Sequence, residues 1–224
     1  MKSTKRPVKK QTSLSVSATW WIIGLIAVII AVGLIALTGS QKVGSINAEQ
    51  FGTTLGSPDA PIKLEEYADF QCPACGVFAR GTLRQIIDKY VNTNKVQIIF
   101  HHFAFVGGAN GESERAAEAS ECANDQGKFW EFYDTLYANQ GGENTGAFSD
   151  ANLAKFAQQL GLDMTKFNTC MTDRTHIAKI RADTQNGSLR GVDSTPTLFI
   201  NKDQKILGAI SLAQFEVQIG PLLK

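Results

Sequence analysis

Residues 62–75 read IKLEEYADFQCPAC, followed by GVFARGTLRQIIDKYV through residue 91 and KVQIIFHHFAF over residues 95–105. Ile62–Ala68 is a short apolar-rich run closed by Asp69-Phe70-Gln71, which predicts a strand. Gly76–Val91 sets Val77, Phe78, Leu83, Ile86, Ile87 and Tyr90 near i, i+3, i+4 spacing, which predicts a helix ended by Asn92-Thr93-Asn94. Lys95–Phe105 predicts a second strand. It runs parallel to the first if the helix is a crossover.

Downstream the texture changes. Glu112–Gln126, Lys128–Asn139, Asp150–Leu160, Asp163–Cys170 and Thr175–Gln185 predict helices, with Ser149 or Asp150 as an N-cap and Gly161 as a C′ stop. Thr197–Ile200, a turn at Asn201–Gln204 and Lys205–Ala209 predict a hairpin. Ser211 caps a last helix from Leu212, limited by Pro221. The order βαβ, helices, ββα around one mixed sheet is that of a thioredoxin-like α/β fold. A helical subdomain is inserted over about residues 110–187.

Cys72-Pro73-Ala74-Cys75 falls where the first strand ends and the helix begins. Free backbone N–H groups and the helix dipole favour a thiolate there, so the Cys72 pKa should be lowered. Pro73 suits the first helical position, where no N–H is needed. Cys75, one turn on, is within reach of Cys72 and deeper in the helix. Two bland readings compete: half of a zinc site, or a permanent disulfide. Zinc needs two further ligands, and Cys122, Cys170, His101, His102 and His176 show no paired ligand spacing. His101 and His102 are adjacent on a strand and point to opposite faces.

Two more features accompany the pair. Thr195-Pro196-Thr197 opens the strand after the helical block, and its X-Pro bond is a candidate for cis; the alternative is an ordinary strand-initiating proline. Glu66 shares a pleat face with Leu64 and Ala68, six residues before Cys72. A carboxyl buried there, its pKa raised, could exchange a proton with Cys75. The alternative places Glu65 and Glu66 at a sheet edge.

Together Pro58-Asp59-Ala60-Pro61, Glu66, Asp69-Phe70-Gln71-Cys72-Pro73-Ala74-Cys75, Gln126-Gly127-Lys128-Phe129-Trp130 and Gly191-Val192-Asp193-Ser194-Thr195-Pro196-Thr197 resemble the DsbA-like thioredoxin-fold proteins. The resemblance runs from about Gly56 to the C-terminus. It implies that Cys72 is the nucleophile, Cys75 its resolver, Glu66 the buried acid and Pro196 a cis proline facing the disulfide. It implies that Thr195, with Pro73 and Ala74, meets an extended substrate peptide. Asp193-Ser194 stands where the family often has glycine-rich pairs. Pro-Ala replaces the Pro-His of the family's best-known member, so no histidine helps hold the thiolate and a less extreme oxidant is expected. Cys122 and Cys170 resemble positions often paired in exported members. With Cys72 joined to Cys75 they are the pair left, and the alternative is two buried thiols. In the chain-entropy model their bridge is worth about 4 kcal/mol.

Other residues are not assigned to chemistry. His101 and His102 read as capped or solvated, and Phe129-Trp130-Phe132-Tyr133 as packing. Gly107-Gly108 is a turn, since no strand–glycine–helix pattern with lysine follows. Glu112–Glu121 reads as a solvated helix face.

The 224 residues carry a net charge of +1, but no acid precedes Glu49 and the chain past Lys42 is near −5. A mildly acidic body argues against nucleic acid as partner. Trp20–Leu37 (WWIIGLIAVIIAVGLIAL) is free of charge and spans roughly 27 Å as a helix. Five cations and no acid precede it. The segments expected are therefore a cytoplasmic tail (1–19), a single-pass anchor (20–38), a linker (39–56) with a short pairing element near Gln50–Thr54, and an extracytoplasmic domain (57–224). A cleaved signal peptide is the competing reading, and it too exports the domain.

The expected activity is thiol–disulfide exchange with thiol-containing exported proteins, in the oxidase direction. It needs no cofactor and no metal, and by resemblance a quinone-linked membrane partner reoxidises the pair. The alternatives are a reductase or isomerase of exported disulfides, and a non-catalytic chaperone or metal-binding module.

Overall fold

The computed structural model describes residues 48–223. The expected tail and anchor lie outside them, and among the described residues no helix is long and apolar enough to cross a membrane. The core is a six-stranded mixed sheet: β1 (Gln50–Phe51), β2 (Thr54–Leu55), β3 (Ile62–Ala68), β4 (Val96–His102), β5 (Thr197–Ile200) and β6 (Gln204–Leu207). Their spatial order is β1-β2-β4-β3-β5-β6. β3 and β4 are parallel, Glu66 facing Phe100, and β5 runs antiparallel to β3, Glu66 facing Leu198. This is the expected thioredoxin-like arrangement. Glu65 and Glu66 thus sit on a central strand and not at a sheet edge.

The short pairing element expected near Gln50–Thr54 is present as β1 and β2. β1 and β2 form a hairpin, and Leu55 pairs antiparallel with Ile98 of β4, extending the sheet. Leu55 is fully buried, which explains why this Gly/Thr-rich stretch holds a fixed place.

The crossover helix is not continuous. α1 (Pro73–Arg80) ends at Gly81, whose φ −110° and ψ −93° leave the helix; α2 (Thr82–Ile86) follows, then a π-helical turn at Ile87–Val91. A Cβ at position 81 would meet the Val77 carbonyl at 2.9 Å. The apolar spacing survives the break because both pieces pack on one sheet face, burying Phe78, Leu83 and Ile86. β4 stops at His102, short of the expected Phe105. Asp69 Oδ2 accepts the N–H groups of Phe105 and Val106, at 2.9 and 3.0 Å, and turns the chain off the sheet.

The insertion holds α3 (Glu112–Asn124), α4 (Phe129–Ala138), α5 (Asp150–Gln159), α6 (Met164–Asp173) and α7 (Ile177–Leu189). Ser149 takes the N-cap position of α5 without a side-chain cap bond, and Gly161 follows the last turn at φ +72°. α6 continues past Cys170 and ends at Arg174 in the left-handed region. α8 (Leu212–Ile219) opens with a reciprocal capping box of Ser211 and Gln214, and Pro221 sits in a closing 3-10 turn. Phe129, Trp130, Phe132 and Tyr133 are buried together, as the packing reading requires.

The solvated face expected for Glu112–Glu121 is corrected. Glu114, Glu118 and Glu121 are almost fully buried. Glu118 accepts from Arg115 and from both Nε and Nη2 of Arg174. Glu114 is paired to Arg181 and Glu121 to Lys179 and His102. Each acid is buried because a cation from another element reaches it, which the sequence of α3 alone does not show. His102 is likewise a buried partner of Glu121, not a capped or solvated side chain. Cys122 of α3 and Cys170 of α6 are joined by a disulfide.

Candidate active site

The end of β3, the start of α1 and the segment entering β5 converge. Cys72 is the N-cap residue of α1, with extended φ −66° and ψ 120°, and Pro73 opens the helix. Its Sγ donates to the Thr195 carbonyl at 3.3 Å across 123 residues of sequence. The Thr195-Pro196 bond is cis, and Pro196 is buried. Cys72 is half-buried and Cys75 wholly buried, and neither is in a disulfide. Pro73 is exposed and Ala74 half-exposed, at the lip of the site.

The two sulfurs are held at opposite acidities. The Cys72 thiol is lowered to a pKa of about 6, first by the hydrogen bond from Cys75, then by Thr195 and the N–H groups of Cys75 and Ala74, against the opposing effect of burial. The Cys75 thiol is pushed well up, by burial first and then by the neighbouring Cys72. One sulfur is therefore a thiolate at neutral pH and the other a thiol. The Thr195 hydroxyl is buried and has no conventional hydrogen-bond partner, which leaves it free to face the sulfurs.

Glu66 lies in the central strand β3, fully buried. Burial raises its pKa to about 8, and the Tyr133 hydroxyl, donating to Oε2 at 3.4 Å, only partly offsets that. Oε1 has no partner. A carboxyl that is mostly protonated at neutral pH and carries a free oxygen can give or take a proton.

Several supporting residues were not legible as such. Gln140 Nε2 donates to the carbonyls of both Phe70 and Cys72, at 2.7 and 2.9 Å, fixing the turn before the helix. Asp69 Oδ1 accepts from the Gln71 N–H and, at 2.5 Å, from the Ser113 hydroxyl, tying this turn to α3. Gln140 sits in a loop 68 residues from Cys72 with no motif to mark it. Tyr133 carried one signal: a buried tyrosine hydroxyl needs a polar partner.

On the other face of the sheet Arg190 clamps the segment that leads to Thr195. It pairs with Glu65 and Tyr67 of β3, donates to the Lys202 carbonyl, and lies 4.0 Å over the Phe199 ring. Glu65 is lowered to a pKa of about 2, by His101 first and then by Arg190, against the opposing effect of burial. Of the remaining cysteines, Cys122 and Cys170 lie in the insertion, bonded to each other and not to the reactive pair.

The family model described as Thioredoxin matches residues 49–220. The probable disulfide bond formation protein D of Bacillus cereus is 29% identical over 188 residues, covering 80% of this chain and 86% of that protein. The Na(+)/H(+) antiporter NhaA 1 of Salinispora arenicola is 34% identical over 146 residues, which is 65% of this chain; the chain spans about a fifth (21%) of that relative's length. The crystal structure of Wolbachia pipientis α-DsbA1 superimposes with a TM-score of 0.67 at 28% identity, over 76% of this chain and 90% of that one. Oxidised BdbD of Bacillus subtilis gives a TM-score of 0.70 over 77% and 92%, a likeness of fold at 23% identity. The chain belongs to the thioredoxin family and resembles the DsbA-like proteins within it.

Proposed function

We propose that the chain is an extracytoplasmic disulfide donor, passing the Cys72–Cys75 disulfide to thiol-containing exported proteins. The observation that carries this reading is the split acidity of the pair: Cys72 is near pKa 6 at a helix N-cap, and Cys75 is raised by burial. A substrate thiolate attacks Cys72 Sγ of the oxidised pair. Cys75 leaves as a thiolate and takes a proton, for which the buried, protonated Glu66 is the donor in this reading. A second substrate thiolate then attacks the substrate sulfur of the mixed disulfide, and Cys72 leaves as a stabilised thiolate. The substrate loses two electrons, which reduce Cys72 and Cys75. The backbone of Thr195, with Pro73 and Ala74 at the lip, receives the extended substrate, and Cys122–Cys170 is a structural bridge of the insertion.

Trp20–Leu37 anchors the domain to the outer side of the cytoplasmic membrane, where a quinone-linked membrane protein reoxidises the pair. The Pro-Ala dipeptide favours a second reading, a reductase or isomerase. A Cys72 pKa of about 6 lies toward the upper part of the range of roughly 3.5–7.5 for activated cysteines, so its thiolate is not at the extreme of stability.

The test is the redox equilibrium of the full chain against glutathione, quenched, alkylated and weighed by mass spectrometry. A potential near or above about −180 mV supports disulfide donation, and one near about −270 mV supports the reductase. Failure to exchange at all refutes both.

A further inference from the structure

The disulfide of the insertion is surrounded by metal-ligand chemistry. The sulfurs of Cys122 and Cys170 and a ring nitrogen of His176 lie within 4.8 Å of one another. Asp125 Oδ2 sits 2.8 Å from His176 Nε2 and 3.8 Å from Cys170 Sγ. Ligands at roughly 2.0–2.3 Å around a tetrahedral zinc stand about 3.3–3.8 Å apart, so the two sulfurs and the ring nitrogen need only small adjustments once the S–S bond opens, and Asp125 stands beside His176 and Cys170 as the fourth candidate. We propose that Cys122, Cys170, His176 and Asp125 form a zinc site that exists only when the disulfide is reduced.

Sequence spacing hides this set, because Cys122 and Asp125 end one helix while Cys170 and His176 flank a turn between two others. That turn does not depend on the sulfurs. Arg174, in the left-handed region at φ +52°, closes it, and its guanidinium is held on buried Glu118. His176 opens α7 with its ring mostly covered and on Asp125. The ligands are thus already in place before any metal arrives, which lowers the ordering cost of binding. A groove of about 410 Å³ beside Cys122 and Cys170, bordered by Gln126, Thr165 and Lys166, admits a reductant and the ion.

The steps balance. A dithiol reductant transfers two electrons and two protons to Cys122–Cys170 and becomes a disulfide itself. Zn²⁺ then binds both sulfurs as thiolates, and their two protons are released. His176 binds as neutral imidazole. In this form the metal replaces the covalent bridge between α3 and α6 when the surroundings turn reducing.

The test uses the full chain carrying Cys72→Ser and Cys75→Ser, so that the reactive pair offers no ligand. The protein is reduced with a phosphine, given Zn²⁺, desalted and assayed for metal. The expected result is one zinc per reduced chain, none per oxidised chain, and a loss of affinity of at least about tenfold in His176→Ala. Cobalt on the reduced chain should give the visible bands of a tetrahedral thiolate site. Thermal melts guard against loss of fold: zinc should raise the midpoint of the reduced chain alone, and the oxidised His176→Ala chain should melt as its parent does. A reduced chain that holds no zinc, one that unfolds and is not recovered by zinc, or zinc held equally well by His176→Ala would overturn the proposal.

Discussion

Tyr133 on α4 donates to Glu66 Oε2 across 3.4 Å, and among the described residues this long hydrogen bond is the only one the Glu66 carboxyl receives, its other oxygen being bare. The folded pKa of Glu66 is about 8 against an ordinary 4.5. Between those values the native chain keeps a proton that the unfolded chain releases, so this group makes stability fall as pH rises from 4.5 to 8 and leaves stability independent of pH outside that window. Glu66→Gln cannot titrate. Its stability relative to the parent should climb across the same window, by about 5 kcal/mol in total, at up to about 1.4 kcal/mol per pH unit. Urea midpoints from pH 4 to 9 would show it; parallel curves would reject the raised pKa. The same substitution should slow exchange at pH 7 by about 10- to 100-fold if the carboxyl moves the Cys75 proton.

Cys72 makes a second pH-dependent prediction. Alkylation of the reduced chain should titrate with a midpoint near 6 and leave Cys75 untouched in the folded state. Thr195→Val removes the hydroxyl beside the sulfurs but keeps the carbonyl that accepts from Cys72. Its midpoint should therefore move upward, and the reduced form should lose stability relative to the oxidised form, the loss setting in between the parent midpoint near 6 and the raised one and persisting at higher pH. A midpoint left near 6 would show that the hydroxyl plays no part.

Gly76 and Gln140 should behave as one unit. A Cβ on residue 76 would come within 1.9 Å of Gln140 Oε1. Gly76→Ala must displace that amide and break its bonds to the Phe70 and Cys72 carbonyls, at about 1–2 kcal/mol. Gln140→Ala loses the same bonds. In a double-mutant cycle the second change should add less than about 0.5 kcal/mol to the first. Full additivity would mean that Gly76 is required for some other reason.

The legible and illegible parts of this fold divide along physical lines. Ile62–Ala68 and Thr197–Ile200 match their observed bounds because both are central strands, where nearly every side chain is buried and the apolar run ends where the strand ends. Ser211 and Gln214 carry their cap in four adjacent residues. In the site, Cys72, Cys75 and Pro196 are legible because each depends on its immediate neighbours in sequence. What sequence hid is set by distant partners. Asp69 looks like a turn residue but terminates β4 through two N–H groups 36 and 37 residues away. Gly81 breaks a helix whose apolar spacing runs on unchanged. The acids of α3 look solvated because the arginines and lysine that bury them belong to α7 and the turn before it.

Those acids give the last prediction. Arg174 binds Glu118 through Nε and Nη2, and Glu118 is 1% exposed at the side chain, with Arg115 as its other cation. Arg174→Ala leaves a buried carboxylate half-compensated, and it also frees the turn that carries His176. The loss should be about 2–4 kcal/mol, larger than for an exposed ion pair. If the damage comes from the stranded charge, Arg174→Ala with Glu118→Gln should recover part of it, since the amide needs no counter-ion. If it comes from the turn, the double variant should be no better than Arg174→Ala alone. Urea midpoints of the two variants, with Cys122–Cys170 kept oxidised, separate these causes. A loss below about 0.5 kcal/mol in Arg174→Ala would mean that Arg115 alone satisfies Glu118.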